Sequence, residues 1–231
     1  MKNKKEVCEL IERFTTDDVL RPQLRKPWIV DGVVYATDGR IAIRIKDADG
    51  LDYERVNDYD WRASGARSID RCCLEGCDYL DGGNVEYVDL PMSYLRKAAY
   101  AAMDDARIYA YNHYPEMTAE EAVDRYSLVI LPGAKRHVIA ARYAAMVCDA
   151  VDAFGAVRFY MPVDGFKRGD YRRYRIWCPG AKFDILLMCV RSDKMDTHGL
   201  SIADSATATL VHCITDESDI GFERLRFGGV S

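Results

Sequence analysis

The run WIVDGVVYATDGRIAIRIK places two Asp-Gly pairs, Asp31-Gly32 and Asp38-Gly39, between stretches of β-branched and aromatic residues. A type I′ turn needs positive φ at both central positions, and Asp-Gly is one of the few dipeptides that adopt it with little strain. The chain is therefore expected to double back twice, as a three-strand meander over about residues 27–46. The last strand alternates, with Ile41, Ile43 and Ile45 on one face and Arg40, Arg44 and Lys46 on the other. That pattern predicts one face against a core and one face in water.

Upstream, Val7, Leu10, Ile11 and Phe14 recur at helical spacing among charged residues, so residues 3–14 are expected to form an amphipathic helix. The segment 47–90 is rich in Asp and Gly and has weak periodicity, and 47–126 as a whole reads as an acidic insertion. Within it, 91–104 opens with Pro and continues through good helix formers. Thr118 and Glu121 have the spacing of a capping box for a short helix over 118–125. From residue 136 the pattern is strand, helix, then three strands: HVIAA, an apolar-faced helix over 141–154 stopped by Gly155, then AVRFYMP, YRIWCPG and KFDILLMCV. A helix plus a meander thus occurs twice. We expect one domain over 1–190, with 191–231 as a polar C-terminal extension.

Composition excludes several classes. Nearly half of the 231 residues are apolar and the net charge is -5, which suits a globular chain and not a disordered one. The longest unbroken apolar run, residues 185–190, is far short of the roughly 20 a membrane helix needs. Glu6, Glu9 and Glu12 interrupt what would be the apolar stretch of a signal peptide. A cytoplasmic location without membrane partners is expected, with the eight Cys as reduced thiols. Charge is uneven: residues 51–126 hold eight basic against sixteen acidic side chains, and 127–190 hold ten against five.

The run LRPQLRKPWIVDGVVYATDGRIAIRI, with Ala36-Thr37-Asp38-Gly39 as its most specific part, resembles the bacterial sliding clamp, the processivity ring of the replicative DNA polymerase. The run HVIAARYAAMVCDAVDAFGAVRFYMP and the later KFDILLMCVR resemble the end of that family's last domain. The resemblance implies an α+β fold of DNA clamp-like type: two helix-plus-antiparallel-meander units with the helices on one side of the sheet. It also implies a non-catalytic accessory protein of processivity-factor type acting in DNA replication, with double-stranded DNA and a polymerase-type or other peptide as partners, and homo-oligomerisation. Carried over by residue, the peptide pocket comprises Thr37, Gly39, Arg40 and Ile41 on one wall and Leu186 and Met188 on the other. The alternative is a clamp-derived protein-interaction module that never encircles DNA.

The most basic stretch, 167–175, supplies the remaining DNA candidates, Lys167, Arg168, Arg173 and Arg175, with Arg13 and Arg142 on the helices. Strand alternation would turn Arg173, Arg175 and Trp177 outward, a guanidinium and aromatic surface suited to phosphate and base contacts; a solvated hairpin is the plainer reading. Cys72, Cys73 and Cys77 offer three thiols where a zinc site needs four ligands, so no metal or other cofactor is expected. No phosphate loop, nucleophile elbow or helix-spaced His pair occurs, and an uncharacterised hydrolase is the third reading. Asp38 itself reads as a turn residue and not as a chemical group.

Overall fold

The computed structural model describes residues 4–46, 49–74, 85–88, 90–131, 137–162, 175–189, 211–213 and 222–225. The expected meander forms as β1 (Trp28–Val30), β2 (Val33–Thr37) and β3 (Ile41–Ile45), all antiparallel. Asp31 and Gly32 both have positive φ, 50° and 79°, as a type I′ turn requires. The second turn differs. Only Gly39 is positive, at 89°, and Asp38–Arg40 close a three-residue loop held by side chains. A second meander, β8 (Phe159–Pro162), β9 (Arg175–Pro179) and β10 (Phe183–Met188), follows the helix α5 (Ala141–Phe154). The two meanders join where β10 pairs antiparallel with β3, from Phe183 against Ile45 to Leu187 against Ile41.

Among the described residues the joined sheet has nine strands. From one edge the order is β12 (Phe222–Leu225), β5 (Val85–Val88), β8, β9, β10, β3, β2, β1 and β4 (Glu54–Arg55), antiparallel except between β1 and β4. A smaller sheet pairs β6 (Leu128–Leu131) with β7 (His137–Ala140) and, in parallel, with β11 (Val211–Cys213). The 47–126 block and the C-terminal extension thus both supply strands to the main sheet. Mixed α+β architecture is established.

One face of the large sheet carries α1 (Lys4–Glu12), α5 and the 22-residue α3 (Met92–His113) in a single apolar core. Leu10, Ile11 and Phe14 share that core with Ile29, Val34, Ile43 and Ile185 of the sheet. The short α4 (Ala119–Tyr126) has both halves of the expected capping box: Thr118 Oγ1 accepts from Glu121 N, and Glu121 Oε2 accepts from Thr118 N at 2.9 Å. The opposite face of the sheet departs from the sequence reading. The helices α1 and α5 that accompany the two meanders share one face, while a helix unforeseen in the Asp- and Gly-rich segment, α2 (Trp61–Leu74), lies across the other. As a result every residue of β3 is buried, including Arg44, and the expected wet face is wet only at its ends, Arg40 and Lys46. Trp177, expected outward, is tucked under α2 beside Cys73 and Leu186. Among the described residues no helix is long and apolar enough to cross a membrane.

Candidate functional site

The ATDG turn is fixed by its own side chains. Thr37 Oγ1 donates to Ile41 O at 2.7 Å and accepts from Gly39 N at 2.9 Å. Asp38 Oδ1 accepts from both Arg40 N and Ile41 N, at 2.7 and 2.8 Å. Gly39 is favoured by its positive φ of 89°; the guanidinium of Arg21, whose side chain is half exposed, lies over it. Asp38 does more than turn the chain. Its Oδ2 accepts from Tyr143 Oη on α5 at 2.6 Å, which ties the loop to the helix that packs behind it.

Burial, together with the Asp38 carboxylate, pushes the Tyr143 hydroxyl from 10 to about 12. Burial likewise raises Tyr35, which donates to Asp70, and Tyr53, which donates to Cys8 O. The sign follows from linkage: a hydroxyl that keeps its proton more tightly when folded stabilises the fold below its unfolded value and loses that contribution as pH rises through the folded one. We expect denaturation midpoints to fall between pH 10 and 12, and less steeply in Tyr143→Phe. Midpoints that stay flat across that window in the unaltered chain would contradict the assignment.

The turn borders a cleft of about 130 Å³. Thr37, Gly39, Arg40 and Ile41 line one side, and Leu186, Leu187 and Met188 line the other; Ala42 and, from α2, Ser68 and Ile69 complete the lining. All six residues expected from the resemblance therefore meet at one depression. Register explains why. Leu186 pairs with Ala42 and Leu187 with Ile41, and Met188 N donates to Arg40 O at 2.9 Å, so the end of β10 lies against the turn. Both walls come from neighbouring strands of one sheet. Ala42 and Leu186 lie together on the α2 face of the sheet, with Ile69 packed against them.

Beneath α2 lies a polar network. Arg44 donates from Nε to Asp184 Oδ2 and from Nη1 to Asp70 Oδ1, each at 2.7 Å. Lys46 Nζ stands 3.2 Å from the other Asp184 oxygen. Burial opposes the charge on Arg44, but its hydrogen bonds to Asp70 and Asp184 outweigh that and hold the guanidinium above its ordinary value. Since Asp70 follows Ile69, this network sets where the α2 wall of the cleft stands.

The DNA candidates are placed differently. Lys167, Arg168 and Arg173 lie outside the described residues, and Arg175 opens β9 with its backbone paired to Met188. Arg13 is 2.7 Å from Asp149. Arg142 is 2.6 Å from Asp124, donates to Tyr143 Oη and lies 3.6 Å from Asp38. Both helix candidates are thus engaged by carboxylates. Of the three insertion cysteines, Cys73 is buried on the sheet-facing side of α2, while Cys77 and the Cys72 side chain fall outside the described residues. Among the described residues no group of three His, Cys, Asp or Glu is placed to hold a metal. Cys189 Sγ lies 3.7 Å from His137 Nδ1, but burial pushes this thiol up to about 12, leaving it protonated where a nucleophile would need the thiolate.

No family model, curated protein or solved structure matches this chain.

Proposed function

We propose that this chain is a non-catalytic interaction module of DNA clamp-like type, which docks a short peptide of a partner protein by seating one apolar side chain in the cleft between the ATDG turn and the end of β10. What supports the reading is the convergence of Thr37, Gly39, Arg40, Ile41, Leu186 and Met188 on one open hollow. Its size is apt: an engineered apolar cavity of about 150 Å³ takes up benzene, so about 130 Å³ suits one ring or branched aliphatic side chain. The exposed Arg40 at the rim adds a cation that selects against basic neighbours in the peptide. Of the two clamp-type activities, peptide docking is the better supported, because Arg13 and Arg142 are neutralised by Asp149 and by Asp124 with Asp38. A phosphate-lining helix face needs such cations free.

A displayed library of short peptides provides the test. The unaltered chain should enrich sequences sharing one large apolar anchor. Met188→Asp, at the partly exposed lip, should weaken the enriched peptide by about tenfold or more, as removal of a central anchor contact does. No enrichment, or peptides that bind both chains equally, would refute the assignment.

A further inference from the structure

The long helix α3 buries one side and leaves the other bare. Its inner side, Leu95 through Ala110, is nearly all alanine, which lets α3 lie close on α5. Diametrically opposite, at spacings of three and four, lie Lys97, Tyr100, Asp104, Arg107, Ile108 and Tyr111. This stripe is about 21 Å long at 1.5 Å per residue. It is not an ordinary solvated face. Tyr100 is 46% exposed, Ile108 60% and Tyr111 83%, with Tyr114 at the helix end 37% exposed. Three large apolar side chains on one line are what an association surface looks like before it is covered.

The order of charges along the stripe specifies the partner. In an antiparallel helix pair related by a two-fold axis, residues equidistant from the axis face each other. With the axis level with the bond between Asp105 and Ala106, Tyr100 faces Tyr111 of the second copy and Asp104 faces Arg107. Moving the axis to Asp104 sets that carboxylate against itself. Moving it to Ala102 sets Lys97 against Arg107. Only the first register pairs opposite charges and stacks aromatic rings together. Within one chain Arg107 Nη1 already lies 2.7 Å from Asp104 Oδ1, so both groups are held on the stripe and exchange partners without leaving it.

We propose that α3 is a self-association surface, through which two copies of this chain pair antiparallel in a closed, isologous dimer. Because the contact is confined to one helix, it belongs to the small end of specific interfaces, below about 1,200 Å², and the dimer forms reversibly. The cleft is lined by other elements, so dimerisation and peptide docking stand or fall separately.

Sedimentation velocity from low to high micromolar concentration tests this. The unaltered chain should pass from monomer to dimer. Arg107→Glu and Asp104→Arg should each remain monomeric, at least about tenfold weaker in association, because each sets like charges face to face. Mixing the two variants should restore a dimer, since the two acidic side chains of one chain then face the two basic side chains of the other. Both positions are exposed, 46% and 66% at the side chain, so melting curves at a concentration where the unaltered chain is monomeric should be unchanged. An unaltered chain that stays monomeric throughout overturns the proposal and assigns the stripe to a different kind of partner. A dimer that both variants retain also overturns it, by placing the interface elsewhere.

Discussion

Arg44→Met should destabilise the fold by about 3–5 kcal/mol, the range for removing one member of a buried ion pair. Asp184 is 1% exposed and Arg44 6%, so without the guanidinium the carboxylate stays in the protein interior. Lys46 is a poor substitute because its side chain is 38% exposed and its ammonium already donates to Gly180 O. The pair itself is not worth that much. Two charges lose most of their hydration on burial, and replacing both by apolar groups of similar volume is often neutral. Arg44→Met combined with Asp184→Leu should therefore recover most of the loss. Equilibrium denaturation of the single and double variants measures both effects. A single-variant loss below about 1 kcal/mol would mean that Asp184 is reached by water. The single variant should also loosen α2, since among the described residues Asp70 would keep Tyr35 alone as a hydrogen-bond partner, and with it the Ile69 wall of the cleft.

Local chemistry was legible wherever one residue type had a single structural use. The Asp31-Gly32 turn, the Thr118–Glu121 box and the Gly155 stop on α5 form as read. So does the apolar face of α1, where Leu10, Ile11 and Phe14 are buried. Their common property is that the signal lies within a few residues, so no tertiary contact is needed to decide it. The six cleft residues came from resemblance, and β3–β10 pairing is what assembles them. Ser68 and Ile69 were missed because α2 was missed. Its interior holds Gly65 and two serines, weak helix formers that mask the spacing of Ala63, Ala66, Ile69 and Cys73. Asp60 was the available clue: its Oδ1 accepts from Arg62 N at 2.8 Å, as an N-cap does. The reading of Arg44 as wet failed for the same reason. Strand alternation says which face a residue takes, and not what will cover that face.

The same missing information governs the 47–126 block, and a single substitution within it distinguishes an appended insertion from part of the core. Leu95→Ala should cost about 2–5 kcal/mol, as large-to-small changes at fully buried sites do. Leu95 is 0% exposed and shares one apolar cluster with α5, α1 and the inner face of the sheet. The alanines around it on α3 have no longer side chains to swing into the space, so the cavity would stay open and the cost should sit in the upper half of that range. Trp61→Ala, on α2 of the same block, serves as the control: Trp61 is 49% exposed, and surface changes usually stay within about 0.5 kcal/mol. Denaturant midpoints at constant m-value read both. If Leu95→Ala cost no more than Trp61→Ala, α3 would be an attachment and the two meanders would hold their core without it. A loss of the expected size instead makes α3 a third core helix, so that cutting 47–126 out of the chain would unfold it, and with it the turn, the cleft and the stripe.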